Sequence, residues 1–219
     1  MSSYSWSVKL ENLFNSIPNT SPMNTSNPKL KIPKTNSRLA VTIYIVIAIA
    51  TLLAGNSVSV SLINKIVYFI LGLLFFTLIK YLMHRFLYHW GPDYKDERYW
   101  QYKVHGVHHE FPTDIGLLAL PIPLAILLGA VFFGVFYLLL GEVTYSFWPG
   151  FFIGYASYLR IHYLVHSRKP PKNFLKYLWR HHHLHHYQYE DKAYGVSSPL
   201  WDFVFGTLPP QELRKKRWL

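Results

Sequence analysis

All twelve histidines of this chain fall into four tight clusters, and a fold that leaves those clusters apart would waste the pattern. His84 and His89 form the first. His105, His108 and His109 form the second, with the spacing His-x2-His-His. His162 and His166 form the third. The fourth holds five histidines in six residues, His181, His182, His183, His185 and His186, and repeats the His-x2-His-His spacing at 182, 185 and 186. On an α-helix, positions i, i+3 and i+4 share a face, so each triplet is able to aim three imidazoles at one point. His162 and His166 share a face for the same reason. His84 and His89 stand about 140° apart on an ideal helix, so they serve two different metals or sit at a distorted helix end. A single buried histidine is usually a hydrogen-bonded structural group. Twelve confined to four clusters point to metal, since neutral imidazole is a common ligand of zinc, iron and copper.

Around the clusters run four apolar stretches, residues 39–55, 62–81, 115–140 and 147–165. Each is close to the length that crosses a bilayer. With 51% hydrophobic and 18% aromatic residues, the composition agrees with an all-α integral membrane protein of four transmembrane helices. Lys65 near the start of the second stretch is placed to snorkel. Pro121 and Pro123 near the start of the third predict a kink or a broken start. Residues 56–61 and 141–146 are the short outer turns.

The net charge of +11 invites a nucleic-acid reading, but its distribution argues against one. Of the 22 Lys and Arg residues, 21 lie before residue 39, between 80 and 103, or from 160 onward; only Lys65 interrupts the apolar parts. This is the bias of cytoplasmic loops in membrane proteins, and a basic face suits anionic headgroups. Four spans then put both termini on the cytoplasmic side, together with every histidine cluster. The metal-binding parts, residues 82–114 and 162–208, form a cytoplasmic helical cap on a membrane domain of residues 39–219.

The chain has no cysteine, so disulfides, thiolate metal sites and cysteine nucleophiles are excluded. Residues 1–38 are rich in Ser, Asn, Thr and Pro and read as a polar tail, in which Trp6, Leu10, Leu13, Phe14 and Ile17 would form a short interfacial helix. No charged segment followed by an apolar one opens the chain, so no cleaved signal peptide is expected.

Ten imidazoles, His84, His89, His105, His108, His109, His162, His166, His182, His185 and His186, exceed the four ligands of a structural zinc site and suit two metals. Histidines outnumber the carboxylates near them, unlike the carboxylate-rich soluble di-iron sites. No catalytic side chain is expected beyond these ligands. Asp114, Tyr158, Tyr187 and Asp202, with Glu110, are candidates to orient the imidazoles.

The segments HRFLYH, HGVHHEFPTD, HYLVH and HHLHHYQYEDKAYGVSSPLWDFVFGT resemble the successive blocks of the fatty acid hydroxylase superfamily, membrane di-iron enzymes that include sterol desaturases and carotenoid hydroxylases. They are most similar to its fatty acid 2-hydroxylase branch, over about residues 83–208. The resemblance implies two iron ions, dioxygen as co-substrate, and hydroxylation of a fatty acyl chain of a membrane lipid, ceramide-like lipids included, at the α-carbon. Zinc is a possible occupant of the isolated protein, because imidazole accepts both metals. Electrons would come from a separate protein, a b-type cytochrome or a ferredoxin, because the 38 polar residues at the start cannot hold the haem domain that eukaryotic members often carry. Two charged positions of the branch are Leu159 and Leu117 here, which alters the contacts expected at a headgroup. His181 and His183 are surplus to the family pattern and are expected to face solvent, although helix geometry alone does not exclude His181 as a ligand. A sterol or carotenoid oxidase or desaturase is the alternative within the superfamily. A His-rich divalent-metal carrier is the alternative outside it, but transport favours ligands at the midplane of the spans rather than at one end.

Overall fold

A computed structural model describes residues 32–89 and 92–211. The interfacial helix expected around Trp6–Ile17 lies outside the described residues. Among those described there is no strand. The long helices are α1 (Ser37–Ala54), α2 (Leu62–Leu82), α4 (Ile122–Leu140) and α5 (Thr144–Ser167). Shorter ones are α3 (Val107–Glu110), α6 (Lys176–Tyr187) and α7 (Leu200–Val204).

Local chemistry sets the ends. Asn36 caps α1 by accepting from the Arg38 and Leu39 amides, both at 3.1 Å. Ser61 caps α2 through the Asn64 amide at 3.3 Å. Lys65 does more than snorkel, since its Nζ donates to the Gly55 carbonyl at 3.0 Å and ties the end of α1 to the start of α2. The start of the third apolar stretch is broken, as its prolines require. Residues Ile115–Leu117 make a 3₁₀ turn, and α4 begins only after Pro121, where missing amide donors cost nothing. Gly141, at φ +64°, closes α4 and lets the chain turn into α5.

Three stretches are long and apolar enough to cross a membrane: Ser37–Ser57, Leu62–Tyr88 and Ile115–Ser167. The last contains both α4 and α5. The outward rows are bare hydrocarbon. Leu138 and Leu139 at the end of α4 are 86% and 75% exposed, which suits lipid and not water.

Helix α5 is the centre of the bundle, packing on α1, α2 and α4. Its Trp148, Phe151, Phe152, Ala156 and Leu159 build the core with Tyr44, Phe76 and Phe136. Between α2 and α5 the backbones nearly touch. A Cβ added at Gly72 would lie 1.9 Å from the Phe147 carbonyl oxygen, and one at Gly150 would lie 1.9 Å from that of Phe69. Small residues at a crossing replace the hydrophobic drive that lipid cannot supply. The approach matters for function because α2 and α5 carry the first and third histidine clusters at their ends.

Gly72→Val and Gly150→Val are therefore expected to separate the helices and lower stability by ~1–3 kcal/mol or more. Gly134→Ala, with nothing within 4 Å of the added methyl, is expected to be neutral. Thermal unfolding in detergent checks this; equal behaviour of the three variants would contradict the packing described.

Candidate metal centre

The ten candidate ligands converge in two groups of five. One holds His84, His89, His105, His109 and His185; the other holds His108, His162, His166, His182 and His186. Within each group the ligand nitrogens lie within 4.8 Å of one another. The two groups adjoin, with His109 of the first stacked on His186 of the second at a centroid distance of 4.1 Å.

The triplets do not aim at single points, contrary to the simplest reading of their spacing. His105 and His109 enter the first group and His108 the second; His182 and His186 enter the second and His185 the first. The helix explains the division. Taking the first histidine of a triplet as zero, the i+4 ring stands about 40° to one side and the i+3 ring about 60° to the other. The i, i+4 pair joins one group and the i+3 ring crosses to its neighbour. Each group thus contains one pair from a triplet, one crossing ring from the other triplet, and the two histidines that end α2 or α5.

His84 and His89 join the same group because the helix is distorted between them. Helix α2 runs into a π-helical turn at Met83–Tyr88, and the His89 amide donates to the His84 carbonyl five residues back, at 3.3 Å. A π turn brings i and i+5 nearly into line. A second π turn at Tyr102–Gly106 leads into α3 and carries His105.

The nitrogens that face one another are all Nε2. In the first group His105 Nε2 lies 3.0, 3.1 and 2.9 Å from those of His84, His89 and His109, and His185 Nε2 lies 3.1 Å from that of His84. In the second, His162 and His108 are 3.0 Å apart, and His182 lies 2.8 and 3.1 Å from His166 and His186. At a metal–nitrogen distance of ~2.1 Å, ligands at right angles stand ~3.0 Å apart, which is ~2.1 Å times √2. The spacing fits five imidazoles around one cation in each group. Burial, more than any other influence, holds the rings neutral, with His108 lowered to about 3 and His185 to about 4. Neutral rings keep the lone pair that ligation needs.

Backbone carbonyls fix the tautomer of two rings. His84 Nδ1 donates to the Tyr194 carbonyl at 2.6 Å, and His185 Nδ1 to that of Lys192 at 2.8 Å. Each leaves its Nε2 lone pair facing inward. The loop bearing those carbonyls is held by Asp202, which is fully buried. Its carboxylate accepts from the Tyr194 amide (2.9 Å), the Gly195 amide (2.8 Å), the Thr207 hydroxyl (2.7 Å) and His181 Nε2 (2.9 Å). A side chain at position 195 would collide with the Ser198 carbonyl and with Asp202 itself, so glycine is required there.

Several sequence expectations change. His181 does not face solvent; it is 1% exposed and paired with Asp202. His183 is partly buried, with Nδ1 2.6 Å from the Trp179 carbonyl. Asp202 touches no candidate ligand and acts through the loop. Asp114 orients no imidazole: it caps the turn at Ile115–Leu117 through the Gly116 amide (3.0 Å) and pairs with Lys34 at 2.5 Å. Glu110 accepts from the Tyr102 hydroxyl at 2.7 Å. Tyr187 is 48% exposed and stacks on His183. Tyr158 does stand behind a candidate ligand, its hydroxyl 3.2 Å from His162 Nδ1. The carbonyls of Lys192 and Tyr194 escape sequence reading because a backbone acceptor leaves no residue-type signal. The only hint is that GVSSPLWDFVFGT keeps its pattern without supplying a ligand.

Asp202→Ala strands four buried donors and His181→Ala strands one acceptor. Thermal unfolding is expected to report losses of at least ~2–3 kcal/mol for the first and ~1–3 kcal/mol for the second. His183→Ala should cost less than ~1 kcal/mol. If His181→Ala were as mild as His183→Ala, the Asp202 network would not be the support described.

Comparison with known proteins carries the same pattern. The fatty acid hydroxylase family profile matches residues 69–207. Fatty acid 2-hydroxylase of Mus musculus is 36% identical over 153 residues, 68% of this chain and 41% of that protein. Dihydroceramide fatty acyl 2-hydroxylase FAH2 of Arabidopsis thaliana is 37% identical over 143 residues, 63% of this chain and 59% of that one. Ceramide very long chain fatty acid hydroxylase scs7 of Schizosaccharomyces pombe is 36% identical over 149 residues, 66% and 43% of the two chains. The chain thus spans roughly two fifths to three fifths of the length of these curated relatives. A solved structure of full-length scs7p, with only the hydroxylase domain visible, superposes with a TM-score of 0.71 at 28% identity, over 82% of this chain and 69% of that chain. The matched residues include all four histidine clusters and Asp202, and the chain belongs to the fatty acid hydroxylase family.

Proposed function

We propose that this protein is a membrane di-iron hydroxylase that uses dioxygen to place a hydroxyl on the α-carbon of a fatty acyl chain. The observation that carries the reading is the meeting of two imidazole groups with an apolar cavity. Residues of α2, α4 and α5 line a cavity of about 130 Å³, and His105, His108 and His162 stand in its wall. Both imidazole groups are thereby open to a hydrocarbon chain while lying at the end of the apolar helices. The names of the relatives, fatty acid 2-hydroxylases and ceramide fatty acid hydroxylases, support the same substrate class.

In this proposal the ten histidines are the ligands of two ions. Iron held there supplies dioxygen activation and attack on an unactivated C–H bond, chemistry that no side chain performs alone. Zinc would bind the same nitrogens in isolated protein. The chain's own part is positional. Phe76, Phe132, Phe151 and Phe152 wall the cavity and exclude water from the acyl chain. Tyr158 and the carbonyls of Lys192 and Tyr194 keep three imidazole rings in place. Helices α1, α2, α4 and α5 cross the bilayer as four spans, with the histidine cap and both termini in the cytoplasm, on the strength of the basic bias in the sequence. Electrons come from a separate donor, a b-type cytochrome or a ferredoxin.

Expression in a host lacking 2-hydroxylated lipids should produce them, and isotopically labelled dioxygen should appear in the new hydroxyl. A product labelled from water, or hydroxylation confined to a sterol or carotenoid, would overturn the reading.

A further inference from the structure

The cavity wall is apolar along most of its length and polar at one end. Phe76, Leu128, Phe132 and Phe151, from within α2, α4 and α5, line the apolar part. At the other end stand the imidazoles of His105, His108 and His162 with Tyr88, Tyr158 and Lys80. Lys80 is the one Lys, Arg, Asp or Glu among the described lining residues.

The placement of its ammonium is specific. Nζ lies 5.0 Å from the Tyr88 ring centroid and 4.7 Å from that of Tyr158. Tyr88 stacks on His105 of the first group at 5.3 Å, and Tyr158 stacks on His162 of the second at 5.3 Å. Lys80 therefore sits between two rings, each of which leans on a different imidazole group. None of the ion pairs among the described residues involves it. An ammonium in an apolar wall, beside two imidazole groups placed to hold cations, lacks the anion that its burial calls for. Aromatic faces attract a cation but do not neutralise it.

We propose that Lys80 binds the C1 carboxylate of the acyl substrate, so that the protein takes a free long-chain fatty acid in preference to a neutral ceramide. The inference rests on the hydroxylase reading and adds the substrate's polar end to it. An ammonium–carboxylate hydrogen bond of ~2.8 Å would fix C1 at the polar end of the cavity. The α-carbon is one bond of ~1.5 Å further. It therefore stays beside the imidazole groups while the alkyl tail follows the phenylalanine wall. A neutral amide at C1 offers only a carbonyl oxygen to the ammonium and leaves the charge uncompensated.

The test uses the iron-loaded full chain in detergent, with dioxygen, a reduced b-type cytochrome as the two-electron source, and hexadecanoic acid and N-hexadecanoyl ceramide as probes. Binding is followed by displacement of a fluorescent fatty acid, and turnover by mass of the 2-hydroxy product. Wild type should bind the acid more tightly than the ceramide. Lys80→Met should raise the dissociation constant for the acid at least about thirtyfold and leave that for the ceramide within about threefold. Lys80→Arg should restore acid binding. Metal content and thermal transition of each variant confirm that it is folded, and Lys80→Gln serves if Lys80→Met is not. Unchanged acid binding in the folded uncharged variants overturns the inference, as does a wild-type preference for the ceramide, and neither touches the hydroxylase reading. Lys80-dependent acid binding without any hydroxylated product would instead defeat the hydroxylase reading and leave the carboxylate site standing.

Discussion

Five imidazole nitrogens that face one another about 3 Å apart need a cation between them. His84 and His185, whose Nδ1 hydrogens go to carbonyls, direct lone pairs at each other across 3.1 Å, and a positive centre makes that arrangement favourable. Two such groups lie side by side here, and much of the rest of the fold serves to hold them. The distortion of the helix after Leu82 brings His84 and His89 into one turn. The contact of α2 with α5 through Gly72 and Gly150 brings the ends of two apolar helices close enough to share the site. The Asp202 network holds the loop whose carbonyls orient His84 and His185.

The exchange of rings between the triplets links the two groups. Because His108 crosses to the group of His182 and His186, and His185 to that of His105 and His109, neither group is complete without both histidine-bearing segments. Segments far apart in sequence therefore close both groups at once. The surroundings divide by polarity. Carbonyls and a buried carboxylate brace the site from the side of residues 192–207, while phenylalanines, three tyrosines and Lys80 face the cavity.

The sequence makes the main outline legible. Hydropathy places α1, α2 and α5 within three residues at each end, because a bilayer-length apolar run has few other uses. Pro121 and Pro123 foretell the late start of α4, since a proline ring fixes where amide donors are missing. Clustering identifies the ten converging histidines, because spacing on a helix is a geometric statement. The division of each triplet was also within reach, as a spread of about 100° is wide for one ion. What stays hidden depends on tertiary contacts. A π turn has no composition signature that sets it apart from the helix it interrupts. His181 looks surplus by count, and its burial follows only from the position of Asp202, 21 residues away. Asp114 looks like a ligand's partner because it follows HGVHHEFPT, yet the local turn and Lys34 take its carboxylate.

The central claim is that each triplet serves two ions, the pair one ion and the crossing ring the other. Metal content per purified chain in two triple variants tests it directly. His105→Ala with His109→Ala and His185→Ala removes three members of one group and should leave about one ion per chain. His105→Ala with His108→Ala and His109→Ala depletes both groups, leaving three and four histidines, so neither ion should resist a chelator as in wild type, whereas the first variant should keep one ion that does. If instead the second variant kept one ion with wild-type resistance to the chelator and the first kept none, each triplet would serve a single ion and the account would be wrong.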